Sequence, residues 1–191
     1  MLSVLVTETA RHHPAADGER LKLMEQPTVG RYAEQLARIY SFERPVEAAC
    51  ALTNGFSREL VSGHSRAHHL AADLELLGRP ARGLAPVPPR FTDAAEALGW
   101  LYVIQRNTLF HGLIARQLAI AVPSLARAAG YLTAFDGVAG DRLRALGVAL
   151  DRAASRRGAP STIIAAANDA FRAQRQWYAF ELGGDHEACA A

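Results

Sequence analysis

The segment 92–123 constrains the fold more than any other part of the chain. It opens with Thr92-Asp93-Ala94-Ala95-Glu96, the form of a capping box, in which a side-chain oxygen takes the first free N–H groups of a helix and a glutamate reaches back. It closes at Pro123, which cannot continue a helix. Between these limits Leu101, Ile104, Leu109 and Leu113 recur near the helical period, so the spacing predicts one long helix with all four in the core. An apolar stripe of that length has to be covered by other helices.

The rest of the chain supplies them. Residues 3–12 read as a first helix, interrupted near Pro14. Thr28 is a candidate N-cap for a helix carrying Tyr32, Leu36, Ile39 and Tyr40, which Val46 and Cys50 extend past a kink or break at Pro45. A further helix is predicted over 57–77, with Gly78 just past its end and Pro80 beyond. Four prolines make 79–90 an extended loop. Helices over 124–134, 138–154 and 161–182 complete the set, and Gly183 to Ala191 reads as a disordered tail. No β-type alternation or internal repeat interrupts the pattern. The expectation is an all-α, single-domain multihelical fold over 1–182.

Composition narrows the functional classes. The net charge is +2, and the charges are dispersed with no run of five or six like residues, so no nucleic-acid partner is expected. Arginine outnumbers lysine twenty to one, Lys22 being the lysine, and arginine suits a bidentate grip on carboxylates. Neither a secretory leader nor an apolar run of about 18 residues is evident, so no membrane partner and a cytoplasmic location are expected. Cys50 and Cys189 have no metal-ligand spacing and form no disulfide framework. His64 and His68, four apart, lack a supporting carboxylate set beyond Asp73 and Glu75.

The run Ala97-Leu98-Gly99-Trp100-Leu101-Tyr102-Val103 resembles the distal helix of the bacterial, biliverdin-producing heme oxygenases. Weaker matches keep the same order: Thr9 to His13 followed by Asp17, Leu23 to Leu36, Asp73 to Gly78, and Ala170-Phe171-Arg172. The resemblance covers about 165 residues, from roughly 7 to 178, and implies a heme oxygenase-like fold with heme b between a proximal and a distal helix. His13 matches the axial iron ligand, and Asp17, one turn on, matches the carboxylate that orients it. Pro14 disfavours a helical His13, placing it at a helix start or break. His12 is the competing ligand, and two solvated surface histidines are the alternative to both. Tyr102, Arg142 and Arg144 match positions that hold the heme propionates.

The distal motif departs from the family where backbone must approach the metal. Arg106 stands at the first expected glycine, and Phe110 and His111 at the following glycine pair. Asn107 replaces a small polar or acidic residue and retains the capacity to order water. Burying an unpaired guanidinium costs on the order of several kcal/mol, so Arg106 must point outward or meet a carboxylate. Phe110 either fills the slot or joins the core, and His111 either ligates iron or is an ordinary buried histidine. Two functions follow from the resemblance. One is oxidative cleavage of heme to biliverdin, CO and iron, with an external electron donor and His111 and Asn107 at the reacting side. The other is a catalytically degenerate heme or tetrapyrrole sensor or carrier, or a protein-interaction module. A homodimer is the further partner expectation.

Overall fold

The computed structural model describes residues 1–79 and 89–179, so most of the proline-rich loop and the whole expected tail, Cys189 included, lie outside the described residues. Among those described, ten α-helices and four 3-10 turns occur and no strand. The helices are α1 (Leu2–Glu8), α2 (His13–Leu21), α3 (Val29–Leu52), α4 (Arg58–His64), α5 (Ala67–Leu76), α6 (Ala94–Arg106), α7 (His111–Ala121), α8 (Gly130–Thr133), α9 (Ala139–Ala154) and α10 (Ala159–Ala179). The protein is all-α.

The local signals at helix ends are realised. Thr28 caps α3 by accepting from the Arg31 N–H at 3.2 Å. Asp93 caps α6 by accepting from Ala95 and Glu96, while Glu96 reaches back to the Thr92 N–H at 2.7 Å. Gly78 has φ +68°, and the N–H groups of Gly78 and Arg79 bond to Glu75 and Leu74 carbonyls, the two bonds of a Schellman motif.

Several longer expectations are corrected. The first helix ends at Glu8, with a 3-10 turn Ala10–His12 before α2. Pro45 does not break α3. Its penalty of roughly 3 kcal/mol is offset where Phe42 and Val46, each worth about 1.5–3 kcal/mol, and Cys50 are buried around it. The helix expected over 57–77 divides at Ser65-Arg66, and that expected over 124–134 is a 3-10 turn, Pro123–Ala128, followed by α8. The long helix after Asp93 is interrupted by a 3-10 turn, Asn107–Phe110, before resuming as α7. Four residues at 3.0 rather than 3.6 per turn advance the side-chain phase by roughly 80°. The apolar stripe therefore changes face: Leu101 and Ile104 are core, whereas Leu109 is 63% exposed and Leu113 lies at the surface.

Helix α6 is the centre of the core and packs most closely on α10. Gly99 makes this possible, because a Cβ there would lie 2.6 Å from the Ile163 carbonyl and 2.7 Å from the Ala166 Cβ. α3 and α9 also pack against α6, while α2 lies against both α10 and the turn Asn107–Phe110.

Candidate functional site

A cavity of about 380 Å³ opens where α1, the start of α2, the end of α6 and α9 meet. That volume lies within the range of small-molecule sites. Of the residues singled out from the sequence, His13, Tyr102, Arg106 and Arg142 line it. Leu2, Val6, Leu109, Phe135 and Leu143 supply its apolar wall. Val6, Leu109 and Leu143 remain exposed, so this apolar surface continues outward as a rim.

His13 begins α2 with helical torsions despite Pro14, at the helix start the sequence indicates. Its Nε2 lies 3.0 Å from the Thr9 hydroxyl, which donates to the Leu5 carbonyl at 2.6 Å. Thr9 has one proton to give, so it accepts from His13, which fixes the imidazole with hydrogen on Nε2 and the lone pair on Nδ1. The Tyr102 hydroxyl reaches the same oxygen at 3.4 Å. Burial holds the His13 pKa below its usual value, helped by the Arg106 cation and opposed by Asp17.

Asp17 does not orient His13. It accepts two hydrogen bonds from Arg106, one on each carboxylate oxygen, that from Nη2 being 2.8 Å. The stronger partner has taken it. Arg106 thus meets a carboxylate, as its chemistry requires, and the pair spans directly from α2 to the end of α6 at the lip of the cavity.

Arg142 is held differently. Its guanidinium carbon sits 3.4 Å above the Phe135 ring centroid, and its Nη1 is buried without a hydrogen-bond partner. Burial, then the nearby Arg66 cation, push its pKa down. Arg144, two residues on, does not line the cavity: it is exposed, pairs with Asp141 and lines an open groove of about 630 Å³ between α4 and α9, a groove that Arg142 also lines.

The three remaining distal residues do not reach the cavity. Asn107 is buried and donates to the Gln174 side-chain carbonyl at 3.1 Å. His111 is buried against Tyr131, ring centroids 4.6 Å apart, with its Nε2 unpartnered. Burial and the cations of Arg66 and Arg20 hold its pKa well below the usual value. Phe110 is half-buried against the core. His12 lines another recess, of about 340 Å³ between α2 and α10, where its Nε2 lies 3.0 Å from Asn168 Oδ1 and its ring stacks on Phe171.

A second polar assembly was missed in the sequence. Glu43, fully buried, accepts from Arg20 and the Tyr131 hydroxyl, each at 2.9 Å, and from Arg66 at 3.3 Å. Arg20 also reaches the Tyr178 hydroxyl at 3.0 Å. The available signal was phase: Glu43 falls four residues after Ile39 and three before Val46, and Arg20 four after Ala16 and three before Leu23, positions where charge is out of place unless paired.

Heme bound at His13 between α2 and α6 would have to occupy the interval that the Arg106–Asp17 pair bridges. The residues as arranged do not fit that group. Among the described residues no cluster of three or more His, Cys, Asp or Glu side chains is gathered to hold a metal ion, and no helix is long and apolar enough to cross a membrane. His64 and His68 fall on separate helices. Compared with family profiles, curated proteins and solved structures, the chain finds no match.

Proposed function

We propose that this chain is a binding protein for an amphipathic organic anion, held in the cavity between α1, α6 and α9 without oxidation. A tetrapyrrole bearing propionates is the ligand class to which the sequence resemblance points. The observation that carries the reading is that Arg142, a cation with no carboxylate partner among the described residues, lines the cavity together with an apolar wall and an exposed apolar rim. A guanidinium at a cavity wall with no anion beside it leaves charge-assisted hydrogen bonds unmade, each worth about 1.5–3 kcal/mol, and a ligand carboxylate would make them. The rim lets a molecule longer than the cavity lay its apolar body along Val6, Leu109 and Leu143, since contiguous exposed apolar surface marks binding sites.

The site residues divide the work. Arg142 takes a carboxylate. Tyr102 and His13, locked together through Thr9, form a rigid polar corner whose free acceptor is the His13 Nδ1. The Phe135 ring holds the Arg142 guanidinium in place before ligand arrives, so less side-chain entropy is lost on binding.

The test is titration with biliverdin and with hemin, followed by absorbance, in the wild-type protein and in Arg142→Gln. Loss of one charge-assisted hydrogen bond, about 1.5–3 kcal/mol, weakens binding roughly 10- to 100-fold. Equal affinity in the variant, or no binding at all, overturns the reading. Adding ascorbate in air to the hemin complex should leave the tetrapyrrole intact. A biliverdin band would instead favour the oxygenase function that the resemblance implies.

A further inference from the structure

We propose that Asp17 is a built-in stand-in for a ligand carboxylate: it occupies Arg106 in the free protein and is displaced when a dicarboxylate ligand binds. The inference rests on the anion-binding reading above and adds how the site is regulated. Its first support is geometry. Arg106 presents two N–H groups to the two oxygens of Asp17, the fork that an incoming carboxylate would use. Its second is position. Arg106 lines the cavity while its side chain is only 10% exposed, and Asp17, outside the cavity lining, is 24% exposed. The carboxylate can therefore swing to water while the guanidinium stays at the cavity wall.

The helix that carries Asp17 need not move for this exchange. Arg20, three residues further along α2, is fixed in the core by Glu43, Tyr131 and Tyr178. At the other end His13 is tied to Thr9. Only the Asp17 side chain has to turn, and Gly18 beside it leaves open space. The two arginines then differ in kind. Arg142 has no carboxylate partner among the described residues, so a ligand carboxylate meets no competitor there. Arg106 accepts a second carboxylate only in competition with Asp17, so the site holds one-carboxylate and two-carboxylate ligands by different terms.

The experiment uses the full chain and biliverdin, which has two propionates, in wild type, Asp17→Asn, Arg106→Gln, the Asp17→Asn/Arg106→Gln double variant and Glu19→Gln. Removing the competitor should tighten binding at least fivefold in Asp17→Asn. The gain should vanish in the double variant, because the released group is Arg106. Glu19→Gln makes the same charge change on the same helix and should show no gain. Binding to wild type with equal affinity in Asp17→Asn overturns the exchange and leaves the anion-binding reading standing. A gain that persists without Arg106, or that Glu19→Gln reproduces, overturns it too. No binding to wild type or to Asp17→Asn overturns both.

Discussion

Two pairs of arginines in this protein have opposite circumstances. Arg20 and Arg66 converge on Glu43 in the core, where the carboxylate and both guanidiniums are essentially unexposed. Arg106 and Arg142 converge on a cavity, one paired with a carboxylate at the lip and the other over a ring with no carboxylate beside it among the described residues. In the core the anion is a permanent part of the structure. At the cavity it is borrowed or absent. Pairing inside a protein separates charges that specify a fold from charges that wait for something, since breaking a buried pair is costly and an exposed one contributes little.

The largest effect that tests this contrast is at Glu43. Glu43→Gln leaves two buried guanidiniums without their anion, and a loss of about 3–5 kcal/mol in urea unfolding is expected. A loss below about 1 kcal/mol would break the comparison, since the core cluster would then tolerate unpaired cations as well as the cavity does.

A smaller effect comes from His111, packed on Tyr131 beside the same arginines. Its folded pKa lies well below the unfolded value of about 6.5. Between those two values the unfolded chain binds more protons than the native one, so stability rises with pH and falls on acidification below about 6.5. The limiting slope is about 1.4 kcal/mol per pH unit for one such site. His13, His64 and His69, also shifted down by burial, act in the same sense, and the buried carboxyls of Glu47 and Asp73, shifted up, act against it at lower pH. Unfolding at pH 7.5 and 5.5 should therefore show a steeper acid loss in wild type than in His111→Gln. Equal slopes would mean that the native state protonates His111 readily, and the core would be wetter than its packing indicates.

How much of this was legible depends on whether a feature is written locally. The Thr28 and Asp93 caps and the Gly78 stop depend on neighbours within a few residues, and each was readable. The all-α class was readable from periodicity. The 3-10 turn at Asn107–Phe110 was not, because no proline or glycine marks it, and it alone moved Leu109 and Leu113 from the expected core to the surface. At the site, four of the residues carried over by resemblance, His13, Tyr102, Arg106 and Arg142, share one cavity. Asp17 stands at its edge, whereas Asn107, Phe110, His111 and Arg144 lie elsewhere. Chain distance explains the misses. The partner of Arg106 is 89 residues away, and nothing near Asp17 in sequence shows that this arginine, rather than His13, will claim it.

At the cavity the expected stability effects are smaller than at Glu43. Asp17→Asn removes a largely buried pair at the cavity edge, 10% exposed on Arg106 and 24% on Asp17, and should cost about 1–2 kcal/mol, between the exposed and fully buried cases, and less in high salt. A loss near that expected for Glu43→Gln would place Asp17 with the structural carboxylates and remove the distinction between the two regions.

Arg142→Gln has the smallest expected effect, and its sign is the informative part. The variant gives up a cation–π contact with Phe135 worth roughly 0.5–2 kcal/mol at this half-buried site. It also removes a buried orphan N–H, whose desolvation costs about 1–3 kcal/mol, and the repulsion from Arg66. The second group of terms outweighs the first, so thermal or urea unfolding should show Arg142→Gln no less stable than wild type and up to about 1 kcal/mol more stable. A residue kept for packing lowers stability when removed, whereas one kept for a ligand can raise it, because proteins tolerate locally unfavourable groups where function needs them. A loss above about 1 kcal/mol would mean that the Phe135 contact is what retains Arg142, and the cavity would lose its cation for a ligand carboxylate.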